Sequence, residues 1–250
     1  MKNSELTYKE IYGQPVSFQA VNDTLDTIFK TLDEVFAEKY DEVIFTGCGT
    51  SLYLAQASAH AFSTCTGISA KGMCCSELYY FPETYVGNGK KVLVVPMTRK
   101  SYTTEVRMAI DKVRSYPGVK SLAITCDPDS SKYNDYMLLS PETPEDSVIM
   151  TRSFTSMIYL AVVMSYYVGG KKEKIEQLKD YAANAESFLK ATDEMAKKIV
   201  AEHPECNLFI TLGQGINYGI ANECMNKMKE MSLSLSLIHI SEPTRRTPIS

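Results

Sequence analysis

No stretch of 18 uninterrupted apolar residues occurs in this 250-residue chain, so nothing in it reads as a membrane span, which needs about 20. The amino terminus, Met1-Lys2-Asn3-Ser4-Glu5, lacks the apolar core of a secretion signal. A basic excess is missing as well. The 26 basic and 30 acidic residues give a formal charge of −4, which argues against dedicated nucleic-acid binding. Histidine is scarce, with three in all and none at metal-ligand spacing from another, and no Cys-x-x-Cys occurs. No metal and no cofactor is expected. The seven cysteines are an odd number and do not form a disulfide framework. Cys48, Cys126 and Cys206 lie in or beside apolar stretches and read as small packed hydrophobes. These absences leave a soluble, globular, cytoplasmic protein as the expectation, with neither membrane nor nucleic acid as partner.

What is present points to an α/β fold. Phe18, Val21, Leu25, Ile28, Leu32 and Val35 recur in steps of three and four, the apolar face of an entry helix. Glu42 to Gly47 reads as a short strand, and Ser51 to Phe62 as an alanine-rich helix. Lys91 to Pro96 and Ser121 to Thr125 are too continuously apolar for half-exposed strands and suit parallel strands covered on both faces. Thr103 to Val113 is the helix between them. This rhythm predicts a doubly wound, mainly parallel sheet flanked by helices. Met157 to Val168 is an apolar helix buried against it, and Lys171 to Val200 a charged helical connector with a break expected near Thr192, capped by Asp193. Asn207 to Thr211 and Ile216 to Met231 then begin a second strand–helix unit.

In such a sheet, ligands bind beyond the carboxyl ends of the strands, beside helix N-termini. Two segments are expected there. Gly47-Cys48-Gly49-Thr50-Ser51 is neither a Walker loop nor a dinucleotide fingerprint. Its hydroxyls and backbone amides suit phosphate oxygens, and helix capping by Ser or Thr explains the same pattern. Thr98-Arg99-Lys100-Ser101-Tyr102-Thr103 adds three hydroxyls and two cations after the next buried strand, where a capped helix with a solvated basic loop is the alternative. A third segment, Glu145 to Thr155, either closes over a ligand or caps the buried helix through Ser153. On the last helix, Lys227 and Glu230 stand three residues apart, a spacing that surface ion pairs commonly share.

Taken in order, these segments resemble the sugar isomerase (SIS) domain family, specifically its double-domain members. Lys9 to Pro15 is similar to the lead-in of the isomerase half of glutamine–fructose-6-phosphate aminotransferases. Gly47 to Ser51 resembles the family's first phosphosugar loop, and Cys75-Ser76-Glu77-Leu78 the element that follows it. Val148 to Thr155 looks more like the tagatose-6-phosphate ketose/aldose isomerase branch. Gly213 to Tyr218, Ala221-Asn222-Glu223 and Lys227 to Ser232 resemble the opening of a second SIS domain.

The resemblance implies a homodimeric enzyme acting on an amino- or keto-hexose 6-phosphate. Gly49, Thr50, Ser51, Thr98, Arg99, Lys100, Thr103, Val148 and Lys227 would bind substrate, and Glu230 would move a proton between C1 and C2. The second loop departs from the family's Ser-x-Ser-Gly-x-Thr, since Ser101 stands where glycine is usual. A fructosamine-6-phosphate deglycase and a non-catalytic sugar-phosphate sensor are the alternatives. The implied organisation is a first SIS domain over 1–170, a connector over 171–205 and the start of a second domain over 206–234. Leu235 to Arg245 resembles a translated sequencing adapter, so residues 235–250 are expected to be non-native and the chain truncated and inactive; with no glutamine-hydrolysing domain ahead of the lead-in, an intact amidotransferase is not expected.

Overall fold

The continuous apolar runs form the centre of a parallel sheet in the computed structural model, which describes residues 3–87, 89–141, 143, 145–232 and 235–239. Three helices lead in: α1 (Asn3–Tyr12), α2 (Gln14–Asp23) and α3 (Leu25–Val35). Then come β1 (Glu42–Gly47), α4 (Thr50–Thr66), β2 (Ala70–Cys74), α5 (Cys75–Tyr80), α6 (Pro82–Val86), β3 (Val92–Thr98), α7 (Thr104–Val113), β4 (Val119–Thr125) and β5 (Tyr136–Leu139). The chain continues through α8 (Arg152–Val168), α9 (Lys172–Glu202), β6 (Leu208–Leu212), α10 (Ile216–Ser232) and β7 (Leu235–His239).

Five strands pair in the order β2-β1-β3-β4-β5, all parallel. The alternation of side chains along each strand splits the core in two. Val43, Phe45, Leu93, Val95 and Met97 face the cluster built from α2, α3, α4 and α8. Ile44, Val92 and Val94 face the smaller cluster under α5, α6 and α7. Both faces being covered, β3 is buried along its whole length. The doubly wound α/β class is therefore as the sequence predicts. No helix among the described residues is long and apolar enough to cross a membrane.

Three local expectations are corrected. The entry helix is two helices: the Thr24 hydroxyl bonds back to the Ala20 and Val21 carbonyls, at 3.3 and 3.0 Å, and ends α2. All six residues of the predicted stripe are buried nonetheless. The connector has no break at Thr192. That hydroxyl bonds to the Phe188 carbonyl inside a continuous 31-residue helix, and Asp193, instead of capping, accepts the Tyr8 and Tyr12 hydroxyls and pairs with Lys197. Cys206 is exposed rather than packed.

The last helix packs closely on the first helix of the sheet. A Cβ on Gly219 would lie 2.4 Å from the Tyr53 carbonyl oxygen and 2.6 Å from the Ala57 nitrogen, so α10 packs on α4 backbone to backbone. Ile220 joins the main core, and Ala221, Asn222 and Glu223 are buried. Beyond α10, β7 pairs parallel to β6. Leu235 to His239 of the expected tail are thus in a strand, and residues 240–250 lie outside the described residues.

Candidate functional site

The carboxyl ends of β1 and β3 open toward the first turns of α4 and α7. Gly47 lets α4 begin directly over β1, since a Cβ there would come within 2.5 Å of the Ser51 carbonyl. Gly49 then turns the chain at φ 56°, in the left-handed region that favours glycine. Between the two strand ends lies a cavity of ≈ 180 Å³, lined by Cys48, Ser51, Thr98, Arg99, Lys100, Tyr102, Thr103, Val106 and Met150.

The second loop keeps its shape without a glycine because Asp127, at the end of β4, holds it. Its Oδ2 accepts the Ser101 amide at 2.9 Å and the Ser101 hydroxyl at 2.6 Å. Burial would raise that carboxyl, but the Ser101 hydroxyl and amide, the Asp129 amide and Lys132 hold it below the ordinary aspartate range. The hydroxyls of Thr98 and Thr103 both donate to the Lys100 carbonyl, at 2.7 and 3.3 Å.

The third segment changes the charge of the cavity. Glu145, its side chain wholly buried, pairs with Arg99 at 3.2 Å. The same carboxylate accepts the Thr151 amide and hydroxyl, at 2.7 and 2.9 Å, the Ser153 amide at 3.1 Å and the Ser153 hydroxyl. It thereby caps the N-terminus of α8. Ser153 is a donor to that cap rather than the cap itself. Arg99 also donates to the Ser147 and Val148 carbonyls. Its charge is spent inside the protein. Val148 takes part only through that carbonyl, the residue standing 90% exposed. Glu10 ties the segment to α1 by accepting the Asp146 and Ser147 amides at 2.7 and 3.1 Å. Lys100, exposed and over the Tyr102 ring, has no ion pair among the described residues.

Thr50 does not line the cavity with Ser51. Its hydroxyl donates to Glu223 Oε1 at 3.2 Å and accepts from Asn226 and Lys227 at 3.2 and 3.0 Å. Lys227 Nζ stands between two carboxylates, 2.9 Å from Glu223 and 2.7 Å from Glu230. Asn226 completes the group by donating to Glu230 Oε1 at 3.0 Å. Glu223 is buried, and burial pushes its carboxyl above the ordinary glutamate range against the pull of Lys227 and Thr50. Glu230 stays 41% exposed. The surface pair suggested by the Lys227–Glu230 spacing does form, but inside a wider group of acid, base and hydroxyl.

The predicted residues thus divide. Ser51, Thr98, Arg99, Lys100 and Thr103 gather at the cavity, while Thr50, Lys227 and Glu230 gather where α4 meets α10. Sequence reasoning assigned no role to Glu223, Asn226, Asp127 or Glu145. The four-residue step from Glu223 to Lys227 was a usable signal.

Comparison with known proteins agrees with this architecture. Residues 37–168, more than half of the chain, match the SIS domain. A curated relative, the isomerizing glutamine–fructose-6-phosphate aminotransferase of Helicobacter pylori, is 25% identical over 97% of this chain and 42% of its own length. The chain therefore spans about two fifths of that relative. Among solved structures, tagatose-6-phosphate ketose/aldose isomerase from Escherichia coli superposes with a TM-score of 0.80 at 21% identity, over 93% of this chain and 66% of that one. Glucosamine-6-phosphate deaminase from Thermotoga maritima gives 0.72 at 23% identity, over 90% and 70%. On the extent of the domain match and the sheet that bears it out, the chain belongs to the SIS domain family.

Proposed function

We propose that this chain binds an amino- or keto-hexose 6-phosphate, and that the longer protein isomerises or deaminates it by moving a proton between C1 and C2. One observation carries the reading. Thr50 and Ser51 are consecutive residues at the start of α4, yet Ser51 lines the strand-end cavity while Thr50 joins the acid–base group of α10. Side chains one residue apart on a helix point about 100° apart, and in this reading a single sugar phosphate reaches from one to the other.

In this reading the phosphate lies in the cavity. Ser51 offers its hydroxyl, Thr98 and Thr103 turn theirs from the Lys100 carbonyl to the phosphate, Lys100 offers charge, and the N-termini of α4 and α7 add backbone dipoles. Arg99 and Val148 act through position, by fixing the third segment beside Met150. The sugar carbons then face α10, where Glu230 is the proton carrier, Lys227 is its ion-pair partner and Glu223 is a carboxyl that burial raises. Gly49 allows the close backbone approach.

The names of the relatives support the substrate class: each acts on a hexose 6-phosphate or its amino derivative. We read β6 and α10 as the start of a second unit of the same kind and residues 235–250 as a non-native extension. We further read the isolated chain as a binder without turnover, and the parent protein as a homodimer in the cytoplasm. Deuterium exchange tests the chemistry. In heavy water the longer protein is expected to exchange the C1 or C2 proton of fructose 6-phosphate or glucosamine 6-phosphate; absence of exchange with both sugars would overturn the reading.

A further inference from the structure

We propose that Cys48 is a hydroperoxide-sensitive thiol, and that a disulfide between it and Cys75 shuts the strand-end cavity. The regulatory half of this proposal rests on the phosphate reading of that cavity, whereas the thiol chemistry does not.

The two cysteines leave adjacent parallel strands at the same level. Gly47 of β1 pairs with Cys74 of β2, and Cys48 and Cys75 are the next residue on each. Neighbouring strands lie about 4.8 Å apart, and bridged cysteines have Cα atoms about 4.4–6.8 Å apart. Cys75 lies in the core cluster beneath α5, α6 and α7, and Cys48 packs against that same cluster. The Thr46 hydroxyl donates to Cys75 Sγ at 3.4 Å. Cys74 is diverted from the pair by contact with the Ser76 hydroxyl at 3.0 Å.

The partners are unequal in the way that a peroxide-reacting pair requires. Cys48 is partly exposed and forms part of the cavity wall, so a small oxidant reaches its sulfur. Cys75 is fully buried. The neighbouring Cys75 thiol holds the Cys48 thiol below its ordinary range, against burial and the Glu105 charge, and the N-terminus of α4 beside it favours an anion. The Cys48 thiol and burial together push Cys75 up. Cys48 is therefore the attacking sulfur and Cys75 the resolving one.

The chemistry balances with a hydroperoxide as oxidant. The Cys48 thiolate attacks one peroxide oxygen; an S–O bond forms, the O–O bond breaks, and the departing oxygen leaves as an alcohol or water after taking a proton. Cys48 is oxidised by two electrons to a sulfenic acid and the peroxide is reduced. The Cys75 sulfur then attacks Cys48 as its proton passes to the leaving hydroxide. The S–S bond forms, the S–O bond breaks, and water departs. Drawing Cys48 toward β2 displaces the turn that carries Ser51, because the contact of Gly47 with Ser51 leaves no slack.

The test oxidises the reduced full chain with hydrogen peroxide and maps disulfides by mass spectrometry with fragmentation. Cys206→Ser and Cys224→Ser are built in to remove the two exposed thiols. The expected product is lighter by two hydrogen atoms, linked Cys48 to Cys75, and reversed by dithiothreitol. In Cys75→Ser, dimedone should trap a sulfenic acid at Cys48, while Cys74→Ser should still form the bridge. A chain that keeps both thiols under peroxide, or that bridges Cys48 to Cys74, overturns the proposal. Glucosamine 6-phosphate binding to the reduced and oxidised forms separates the two claims. Binding lost on oxidation and regained on reduction supports closure of the cavity. Equal binding by both forms overturns closure, and no binding by the reduced form overturns the phosphate reading while leaving the mapped thiol chemistry intact.

Discussion

The Thr50 hydroxyl donates to Glu223 at 3.2 Å across the contact between α4 and α10. A carboxyl of the last helix is thereby held against the first turn of the helix that opens on the cavity. Burial raises that carboxyl, and a sign follows for stability. A group whose folded pKa lies above its unfolded value contributes fully below the ordinary glutamate range and loses that contribution as pH rises through the raised value. The parent chain should therefore lose more stability than Glu223→Gln as pH rises from about 4 to 8. Urea unfolding of both proteins across that range measures it, and parallel pH curves would contradict it.

Asp127 carries the opposite sign. Its carboxyl is held low, so its contribution is present above the ordinary aspartate range and fades as pH falls through the lowered value. Asp127→Asn should be less stable than the parent near neutrality, with the gap narrowing in acid. Loss of its bonds to Ser101 should cost about 1–3 kcal/mol. Chemical denaturation at neutral and acidic pH checks both size and trend. A gap that widens in acid would show that the Ser101 contact does not depend on charge.

Gly219 tests the seat of α10. With the Tyr53 carbonyl 2.4 Å from where a Cβ would stand, Gly219→Val should push α10 off α4 at a cost of about 1–3 kcal/mol. Amide hydrogen exchange should speed up along α10 and little in β1, β3 and β4. Unchanged protection in α10 would mean that the close backbone contact is dispensable.

Sheet and site differ in how much the sequence discloses, and the reason is physical. β3 and β4 are legible because coverage on both faces makes them continuous apolar runs. β2 (Ala-Lys-Gly-Met-Cys) is not, being a half-exposed edge whose Gly72 lets Ala55 and Gln56 of α4 come close. The unity of α9 is hidden because Thr192 can satisfy its hydroxyl within a helix as readily as at a boundary. Ser51, Thr98 and Thr103 are legible from their places after buried strands. The tether of Arg99 to Glu145 is not, since it joins residues 46 positions apart through a loop whose path no local pattern encodes. Thr50 and Ser51 are alike as hydroxyls, and only the docking of α10 sends them to different places.

Glu230 is the proposed proton carrier, so Glu230→Gln in the longer protein should lower kcat about a hundredfold or more while leaving KM nearly unchanged. Steady-state kinetics with fructose 6-phosphate and glucosamine 6-phosphate check this. Full activity in the variant would remove Glu230 from the chemistry and leave its bond to Lys227 a surface pair.

Calorimetric titration of this chain tests the central claim most directly. Glucosamine 6-phosphate should bind, unphosphorylated glucosamine should not, and Ser51→Ala with Thr103→Ala should weaken the phosphorylated sugar by about 1.5–3 kcal/mol for each hydrogen bond lost to a charged oxygen. Equal affinity for the two sugars, or an affinity untouched by the double substitution, would contradict a phosphate site between the ends of β1 and β3.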